Sequence, residues 1–239
     1  MGKPFYQSDL SYIHDRHYGA LAEAAVQVIG NLPLEPGNTA VDLGCGSGIL
    51  LERLAKRGLR GYGVDISVAM IQLANNRVPT AQFETQSLYR YSIPKAHLVT
   101  AIGECFNYLS APDSPNPPLR SIFETIHQAL VPKGYFLFDV AEPGLAGRQG
   151  YYARMIEKED YTIFLEVKEK NGFLNREISL FTKEGTKYRR SKESHWLQLY
   201  SAQKIKDQLL EIGFKVKHLN HYGDLKLRDK HIAFLAQKM

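Results

Sequence analysis

Helix and strand periodicities alternate along the first 143 residues. Apolar spacings of three and four residues predict a helix over 12–29, and a cluster of breaker residues at 31–37 ends it. Short apolar runs predict strands at 39–43, 60–64, 80–84, 98–102 and 135–140, with helical patterns at 49–56, 67–74 and 119–130 between them. This alternation is typical of parallel βαβ units and predicts an α/β fold with a doubly wound sheet.

A different pattern begins after residue 143. Residues 161–167, 176–181 and 187–200 are extended in pattern, and Asn171-Gly172 and Glu184-Gly185 between them favour hairpin turns. A helical pattern at 202–211 and strand patterns at 214–219 and 232–236 then resume the α/β order. We therefore expect an antiparallel β lid at 144–200, inserted into a core formed by 1–143 and 201–239. The segment 112–118 holds four prolines and is predicted to be a loop.

The composition is that of an ordinary globular protein, but the charge is unevenly distributed. Of the 239 residues, 44% are hydrophobic and 23% are charged, and the net charge is +5. Residues 151–230 hold 17 Lys/Arg against 12 Asp/Glu, which accounts for this excess. Such a basic region can attract nucleic acid, an anionic small substrate or an acidic surface, and it can equally be a solvated face.

Several other classes of protein are disfavoured. No apolar run reaches the length of a membrane span, and the first ten residues lack the apolar core of a signal peptide. Cys45 and Cys105 have no neighbouring Cys or His at metal-ligand spacing, so neither a zinc site nor a disulfide framework is expected. We expect a cytoplasmic protein with no metal and no membrane contact.

A glycine-rich turn is the strongest chemical motif. Gly44, Gly46 and Gly48 follow a predicted strand and open a predicted helix, where they permit a tight turn and close approach of a ligand. Asp42 precedes the turn, and Asp65 ends the next strand, where a carboxylate can accept both ribose hydroxyls of an adenosine. A nicotinamide dinucleotide requires G-x-G-x-x-G, which this G-x-G-x-G spacing does not match. The alternative interpretation is a structural turn with a surface aspartate.

Six segments together resemble class I S-adenosylmethionine-dependent methyltransferases of a small-molecule type. They are VDLGCGSG at 41–48, GVDIS at 63–67, FETQSL at 83–88, TAIGECFNYL at 100–109, ALVPKGYFLFDV at 129–140 and LLEIGFKV at 209–216. Three further segments resemble an uncharacterised bacterial subgroup: YIHDRHYG at 12–19, AEPG at 141–144 and YRRSKESHWLQLY at 188–200. The resemblance implies a Rossmann-like sheet of seven strands, the last antiparallel, flanked by helices. It also implies S-adenosyl-L-methionine as cofactor and S-adenosyl-L-homocysteine as product.

The resemblance also implies which residues contact the cofactor. The glycine turn would line the methionine part, Asp65 the ribose and Ser87-Leu88 the adenine edge. Ser87 replaces an acid that is common in the family, so adenine recognition would rely on its hydroxyl and on backbone amides. His97 replaces the usual acid before the fourth strand and is expected to be structural. The expected cofactor-binding residues are Asp42, Gly44, Cys45, Gly46, Gly48, Asp65, Ile66, Met70, Ser87, Leu88, Ile102 and Gly103.

Three residues are candidates for catalysis. The family fold implies that the end of the fourth strand faces the reactive methyl group, where Glu104 can take a proton or bind a substrate ammonium and Tyr108 can shape the pocket. His195, in the lid, has a pKa range suited to a general base. The alternatives are structural: Glu104 as a helix cap, Tyr108 as a packing residue and His195 as a structural histidine.

Five residues are candidates for substrate binding. Asn107 and Tyr200 can shape the pocket, and Arg148, Arg189 and Arg190 can bind a carboxylate or phosphate. Strand alternation places Arg189 and His195 on one face of the lid and Arg190 on the other. Surface charge is the alternative interpretation for the arginines.

The leading functional hypothesis is a methyltransferase that moves a methyl group to an O or N atom of a small molecule enclosed by the lid. The alternatives are an RNA-modifying methyltransferase, for which the basic charge argues, and a non-catalytic S-adenosylmethionine-binding protein. Nucleic acid is disfavoured because no basic binding module is visible and the fourth-strand motif lacks an Asp/Asn-Pro-Pro-aromatic sequence. A homodimer that pairs the strand edges of the lid is a further expectation.

Overall fold

The computed structural model of the protein describes residues 6, 8–17, 19–109 and 116–239. In chain order, its helices and strands are α1 (Ser8–His17), α2 (Gly19–Gly30), β1 (Thr39–Leu43), α3 (Ile49–Ala55), β2 (Arg60–Asp65), α4 (Val68–Arg77), β3 (Gln82–Thr85), β4 (Ala96–Ala101), α5 (Leu119–Ala129), β5 (Leu130–Ala141), β6 (Tyr151–Glu157), β7 (Tyr161–Lys170), β8 (Phe173–Glu184), β9 (Lys187–Gln198), α6 (Ala202–Ile212), β10 (Phe214–Leu219), β11 (His221–Tyr222), β12 (Leu225–Lys226) and β13 (His231–Lys238).

The central sheet has seven strands in the order β10-β13-β5-β4-β1-β2-β3. β1 to β5 pair in parallel, whereas β13 runs antiparallel to both of its neighbours, β5 and β10. Helices cover both faces, since Phe136 and Phe138 of β5 pack with α5 and α6 while Leu137 packs with α2 and α3 on the other side. The predicted α/β sheet with an antiparallel last strand is confirmed.

A second sheet, which we call the lid sheet, has the order β6-β7-β8-β9 and is antiparallel throughout. It lies within the segment 144–200, so the predicted antiparallel insertion in the α/β fold is confirmed. Asn171 and Gly172 connect β7 to β8 with φ of 53° and 78°, values that a tight hairpin requires and that Asn and Gly tolerate. The sequence pattern missed β6, an outer strand that is mostly exposed.

The predicted single helix over 12–29 is wrong, because α1 and α2 replace it. Ile13 of α1 packs with Tyr161, Ile163 and Leu180 of the lid sheet. The buried residues of α2 pack instead with α3 on the central sheet. One straight helix could not pack in both clusters, so two separate helices form instead.

Most of the predicted loop at 112–118 lies outside the described residues.

Within the described ranges, none of the helices is long and apolar enough to cross a membrane.

Asn107 joins the core to the lid sheet. Its Nδ2 donates to the carbonyl oxygens of Ala141 (3.0 Å) and Gln198 (2.7 Å), and its Oδ1 accepts from the Ala141 N–H at 3.0 Å. These bonds tie the end of β5 to the end of β9, and the side chain is fully buried. Asn107 therefore has a structural role, because its amide is engaged by backbone on both sides. Its predicted place in the substrate site is not what the structure shows.

We predict that Asn107→Ala lowers the free energy of unfolding by about 2–4 kcal/mol, because it removes three buried hydrogen bonds. Urea unfolding followed by circular dichroism measures the change. Asn31→Ala is the control, since the Asn31 side chain makes one exposed hydrogen bond to the Gln27 carbonyl; it should lose less than about 1 kcal/mol. Equal losses in the two variants would contradict the role assigned to Asn107.

Candidate functional site

A cavity of about 840 Å³ opens at the carboxyl ends of the parallel strands. The ends of β1, β2 and β4 form its floor, and α1 and the lid sheet form walls. Strand order reverses between β1 and β4, which is where open α/β sheets bind their ligands. We call the lid residues that line the cavity the lid face; they are Tyr152, Arg154, Ile156, Tyr161, Ile163, Leu165, Arg176, Ile178 and His195.

The glycine turn gives the floor its shape. Gly44, Gly46 and Gly48 have φ of 78°, 52° and 78°, a left-handed conformation that favours glycine. A Cβ on Gly44 would lie 2.5 Å from Cys105 Sγ, so this position also has no room for a side chain. Gly44 and Gly46 line the cavity as expected for cofactor contacts. Gly48 does not; it precedes α3 and packs against Ala74 of α4.

Asp65 connects the glycine turn to the next βα turn. Its Oδ2 accepts from the Gly46 N–H at 3.0 Å, and its Oδ1 accepts from the Ser67 N–H at 2.8 Å. Burial raises the pKa of Asp65, although these hydrogen bonds oppose the shift. A carboxylate offers about four acceptor positions, so two amide bonds leave room for a ligand's hydroxyls. Ser67, the first residue of the predicted helix at 67–74, caps α4 by accepting from the Met70 N–H at 3.2 Å.

Asp42 is a second buried carboxylate on the floor. It is 3% exposed and accepts a hydrogen bond from Thr100 Oγ1 at 2.7 Å. Burial raises the pKa of Asp42 to about 7, against the lowering effect of the Thr100 hydrogen bond. A positive group that binds beside it would therefore displace a proton near neutral pH.

The floor fits a positively charged adenosyl ligand better than a dinucleotide. Its two carboxylates suit an ammonium and ribose hydroxyls, and the turn at 44–48 has the spacing G-x-G-x-G instead of the G-x-G-x-x-G of dinucleotide sites. The other residues expected at the cofactor also line the cavity: Cys45, Ile66, Met70, Ser87, Leu88, Ile102 and Gly103. His97 lies elsewhere and accepts a hydrogen bond from the Thr39 N–H at 3.1 Å.

Glu104 lies in the turn after β4, between two basic residues. Arg176 Nη2 of the lid face is 2.9 Å from one carboxylate oxygen, and His231 Nε2 is 3.4 Å from the other. Burial alone would raise the pKa of Glu104, but the Arg176 charge and the His231 hydrogen bond lower it to about 2. A carboxylate with so low a pKa is a weak proton acceptor, so this geometry argues against Glu104 as a general base.

His195 and Tyr108 lie together on the side of the lid face nearest the core. His195 Nε2 is 2.9 Å from Glu193 Oε2, and its ring centroid is 5.8 Å from that of Tyr108. The Tyr108 hydroxyl is 3.4 Å from Arg176 Nη1 and 3.3 Å from the Tyr6 hydroxyl. The structure thus brings the three candidate catalytic residues into one cavity.

The two adjacent arginines of β9 do not line the cavity. Arg189 forms ion pairs with Asp9 of α1 and Glu184 of β8, which hold α1 against the lid sheet. Arg190 stacks its guanidinium over the Phe181 ring at 5.7 Å, on the opposite face. Neither is in the predicted substrate position, because α1 occupies the space in front of Arg189 and strand alternation turns Arg190 away.

Arg148 and Tyr200 are also displaced from their predicted roles. Arg148 is exposed in the loop before β6 and does not line the cavity. Tyr200 packs against the core cluster near α6, and its hydroxyl donates to Gln198 Oε1 at 3.3 Å. Arg148 and Tyr200 lie just before and just after the strands of the lid sheet. The strand pattern of the sequence does not define the path of the chain there.

Sequence reasoning missed two residues that organise the site. Arg176 is the charged member of an alternating pattern with Ile178 and Leu180, and a charge at an inward position is the signal that identifies it. Asp139 stands among apolar residues of β5, and it accepts from the Gly103 N–H (2.9 Å), the Glu104 N–H (2.7 Å) and the Tyr222 hydroxyl (2.9 Å). Asp139 therefore fixes the turn that presents Glu104.

The described ranges hold no group of three or more His, Cys, Asp or Glu residues placed to bind a metal ion.

Comparison with known proteins places this geometry in a family context. A family model described as a methyltransferase domain matches residues 12–219. A stretch of 61 residues is 44% identical to trans-aconitate 2-methyltransferase from Paracidovorax citrulli (strain AAC00-1). That stretch covers 25% of this chain and 24% of the relative, so the chain matches about a quarter of that relative's length.

Solved structures share the fold over almost the whole chain. An S-adenosylmethionine-dependent methyltransferase from Clostridium acetobutylicum ATCC 824 superposes with a TM-score of 0.78 at 21% identity, covering 96% of this chain and 98% of that one. A sugar N-methyltransferase from Streptoalloteichus sp ATCC 53650 superposes with a TM-score of 0.75 at 18% identity, covering 100% and 94%. At these identities the likeness is one of fold.

We predict that Gly44→Ala destabilises the protein more than Gly37→Ala does. Both glycines have positive φ, 78° and 85°, but a Cβ on Gly37 meets nothing within 4 Å. Each variant should lose about 1 kcal/mol from the backbone conformation, and Gly44→Ala should lose a further 1–3 kcal/mol, roughly, from the contact with Cys105. Urea unfolding measures both, and a Gly44→Ala variant no less stable than Gly37→Ala would refute the tight contact.

Proposed function

The chain belongs to the family of S-adenosylmethionine-dependent methyltransferases, and on this premise we propose that it methylates an oxygen or nitrogen atom of a small acceptor molecule. The observation that most supports a small acceptor is that the glycine turn and the lid face line one cavity. Its volume, about 840 Å³, is within the usual range of small-molecule sites, about 300–1,000 Å³. Walls from α1 and the lid sheet surround the acceptor, whereas an RNA strand requires an open groove.

The floor holds the cofactor in this proposal. Asp42 would hold the methionine ammonium, and Asp65, which two backbone amides orient, would accept the ribose hydroxyls. Ile66, Ser87 and Leu88 also line the cavity and would hold the adenine. When bound, S-adenosylmethionine supplies a methyl group that the positive charge on its sulfur activates for transfer.

His195 is the proton acceptor in this proposal, in place of Glu104. The hydrogen bond between its Nε2 and the Glu193 carboxylate orients the imidazole in the cavity, as a general base requires. Tyr108 packs beside the ring and keeps water from the acceptor. Glu104 has a positioning role, because its carboxylate holds Arg176 in the cavity.

Known acceptors of similar proteins guide the choice of substrates to test. The relative from Paracidovorax citrulli is named for trans-aconitate, and the structural neighbour from Streptoalloteichus is named a sugar N-methyltransferase. Both are small and polar, which agrees with a cavity of this size. The cytoplasmic location, the domain boundaries and the homodimer through the lid stay predictions.

The proposed function is tested by an acceptor screen with S-adenosylmethionine labelled in its methyl group. We expect label in a small product from a panel of carboxylic acids, amino sugars and phenols, and none in transfer RNA. Asn31→Ala, far from the cavity, is the matched active control, and His195→Gln should lower turnover at least tenfold while binding S-adenosylhomocysteine normally. Label transferred to RNA alone would support the RNA alternative, and no transfer with normal cofactor binding would support a binding protein.

Cofactor binding should depend on pH through Asp42. The folded protein holds a proton on Asp42 up to pH about 7, so the ammonium of S-adenosylhomocysteine must displace it. Affinity should therefore rise as pH increases from 6 to 8 and level off above, with proton release seen by calorimetry in buffers of different ionisation enthalpy. In the unliganded protein, the free energy of unfolding should instead fall as the pH rises from about 4 to 7. The reason is that the folded state, with the raised pKa of Asp42, binds the proton more tightly than the unfolded state.

Asp42→Asn tests that assignment, because it keeps the size and one acceptor of the side chain. The variant should bind S-adenosylhomocysteine more weakly at pH 8 and lose most of the pH dependence. An unchanged pH profile would assign the proton to another group.

A further inference from the structure

Charged residues that line the cavity are sorted by sign between its two sides. The described acids all belong to the floor: Asp42, Asp65, Glu104 and Asp139. The described lysines and arginines all belong to the lid sheet or to the segment around β12: Arg154, Lys158, Arg176, Lys226 and Arg228. A ligand that spans the cavity therefore meets negative charge at one end and positive charge at the other.

The positive residues differ from the acids in how they are paired. Each of the four acids accepts hydrogen bonds from backbone or side-chain neighbours. By contrast, four of the basic residues form no ion pair with any residue in the described part of the chain, and all four are exposed at the cavity mouth: Arg154, Lys158, Lys226 and Arg228. Arg148 and Arg190 are also exposed and form no ion pair in the described part of the chain, but they do not line the cavity. What distinguishes the four residues is that their unpaired positive charges lie around one opening.

The lid face places its basic residues at two depths. In the antiparallel register Arg154 of β6 lies opposite Leu165 of β7, which lies opposite Ile178 of β8, so all three share one face. Arg176 is two residues from Ile178 and so shares that face, with one strand between it and β6. Adjacent strands are about 4.8 Å apart, so the Arg154 and Arg176 backbones lie roughly 10 Å apart across the sheet.

Arg176 is the deep member of this set. Its side chain is only 15% exposed, and it contacts Glu104 and the Tyr108 hydroxyl through two of its nitrogens. A guanidinium has five N–H donors, so these two contacts leave others that can reach a ligand in the cavity. Tyr108 and His195 adjoin it, which places the site of reaction next to this arginine.

From this arrangement we infer that the methyl acceptor is an anion, a carboxylate or a phosphate monoester, attracted by the four basic residues at the mouth and held by Arg176. The inference rests on the proposed function and adds the substrate class. The distribution of charge also orients the ligands, because Asp42 and Asp65 attract the cationic cofactor to the floor and the unpaired basic residues attract the anion from the mouth.

Calorimetry with matched pairs of probes tests this inference. Citrate is compared with its uncharged trimethyl ester, and glucose 6-phosphate with glucose, each titrated into the protein with and without saturating S-adenosylhomocysteine. We expect at least one anion to bind at least tenfold more tightly than its neutral partner, with affinity falling as KCl increases. The citrate and phosphate pairs distinguish a carboxylate from a phosphate monoester as the preferred group.

Two double variants locate the effect. Arg154→Gln with Arg228→Gln removes two charges at the mouth and should weaken anion binding at least tenfold, while S-adenosylhomocysteine affinity stays within twofold. Arg148→Gln with Arg190→Gln removes the same charge away from the cavity and should change anion binding less than twofold. Because these four side chains are exposed, all the variants should fold.

The outcomes separate the two proposals. Neutral probes binding as tightly as anions, or equal losses in both double variants, would overturn the inference while leaving the methyltransferase assignment intact. Failure of S-adenosylhomocysteine to bind would instead count against the proposed function, and the titrations without it would still decide whether the cavity selects anions.

Discussion

Positive groups beside a mostly enclosed carboxylate favour its ionised form, and Glu104 has two such neighbours, which come from distant parts of the chain. Arg176 comes from the lid sheet and His231 from the start of β13. The backbone N–H of Glu104 is held in turn by Asp139 of β5. The turn after β4 is therefore the point at which the parallel strands, the last strand and the lid sheet meet. The cavity depends on this turn, because its floor and one of its walls are joined there.

The floor and the lid face are built by different means. Backbone geometry shapes the floor: three glycines with positive φ make the turn, and Asp65 ties that turn to the next through two amides. Side chains shape the lid face, where alternate residues of antiparallel strands project into the cavity. Asn107 joins the two parts by hydrogen bonds to backbone alone, so it holds them together without contributing to the cavity.

This difference explains which features of the fold and the site could be predicted from the sequence. Gly44, Asp65 and Ser67 act within a short stretch of chain, and local spacing was enough to predict the turn, the strand end and the start of the next helix. Asn107 and Arg189 depend on partners far along the chain, and both were misplaced. Strand alternation placed Arg189 on the correct face of β9. Its guanidinium forms an ion pair with Asp9 of α1, however, and no local sequence pattern reveals this long-range contact. Arg176 was missed for a related reason, since its importance lies in the pairing with Glu104, 72 residues away.

The floor and the lid face also differ in how a substitution affects their structure. A glycine at φ 78° that touches Cys105 cannot accept a side chain without moving the turn, and the turn after β4 is held by Asp139, Arg176 and His231 together. Replacing one residue on the lid face, such as Ile156 or Arg154, alters the wall by one side chain and leaves the strand pairing in place. Under the proposed function, acceptor preference can therefore change through the lid face alone, while the geometry of the floor is kept. A fold with a fixed floor and a replaceable wall can serve many acceptors with one cofactor, which is how function comes to be set by the site and not by the sheet beneath it.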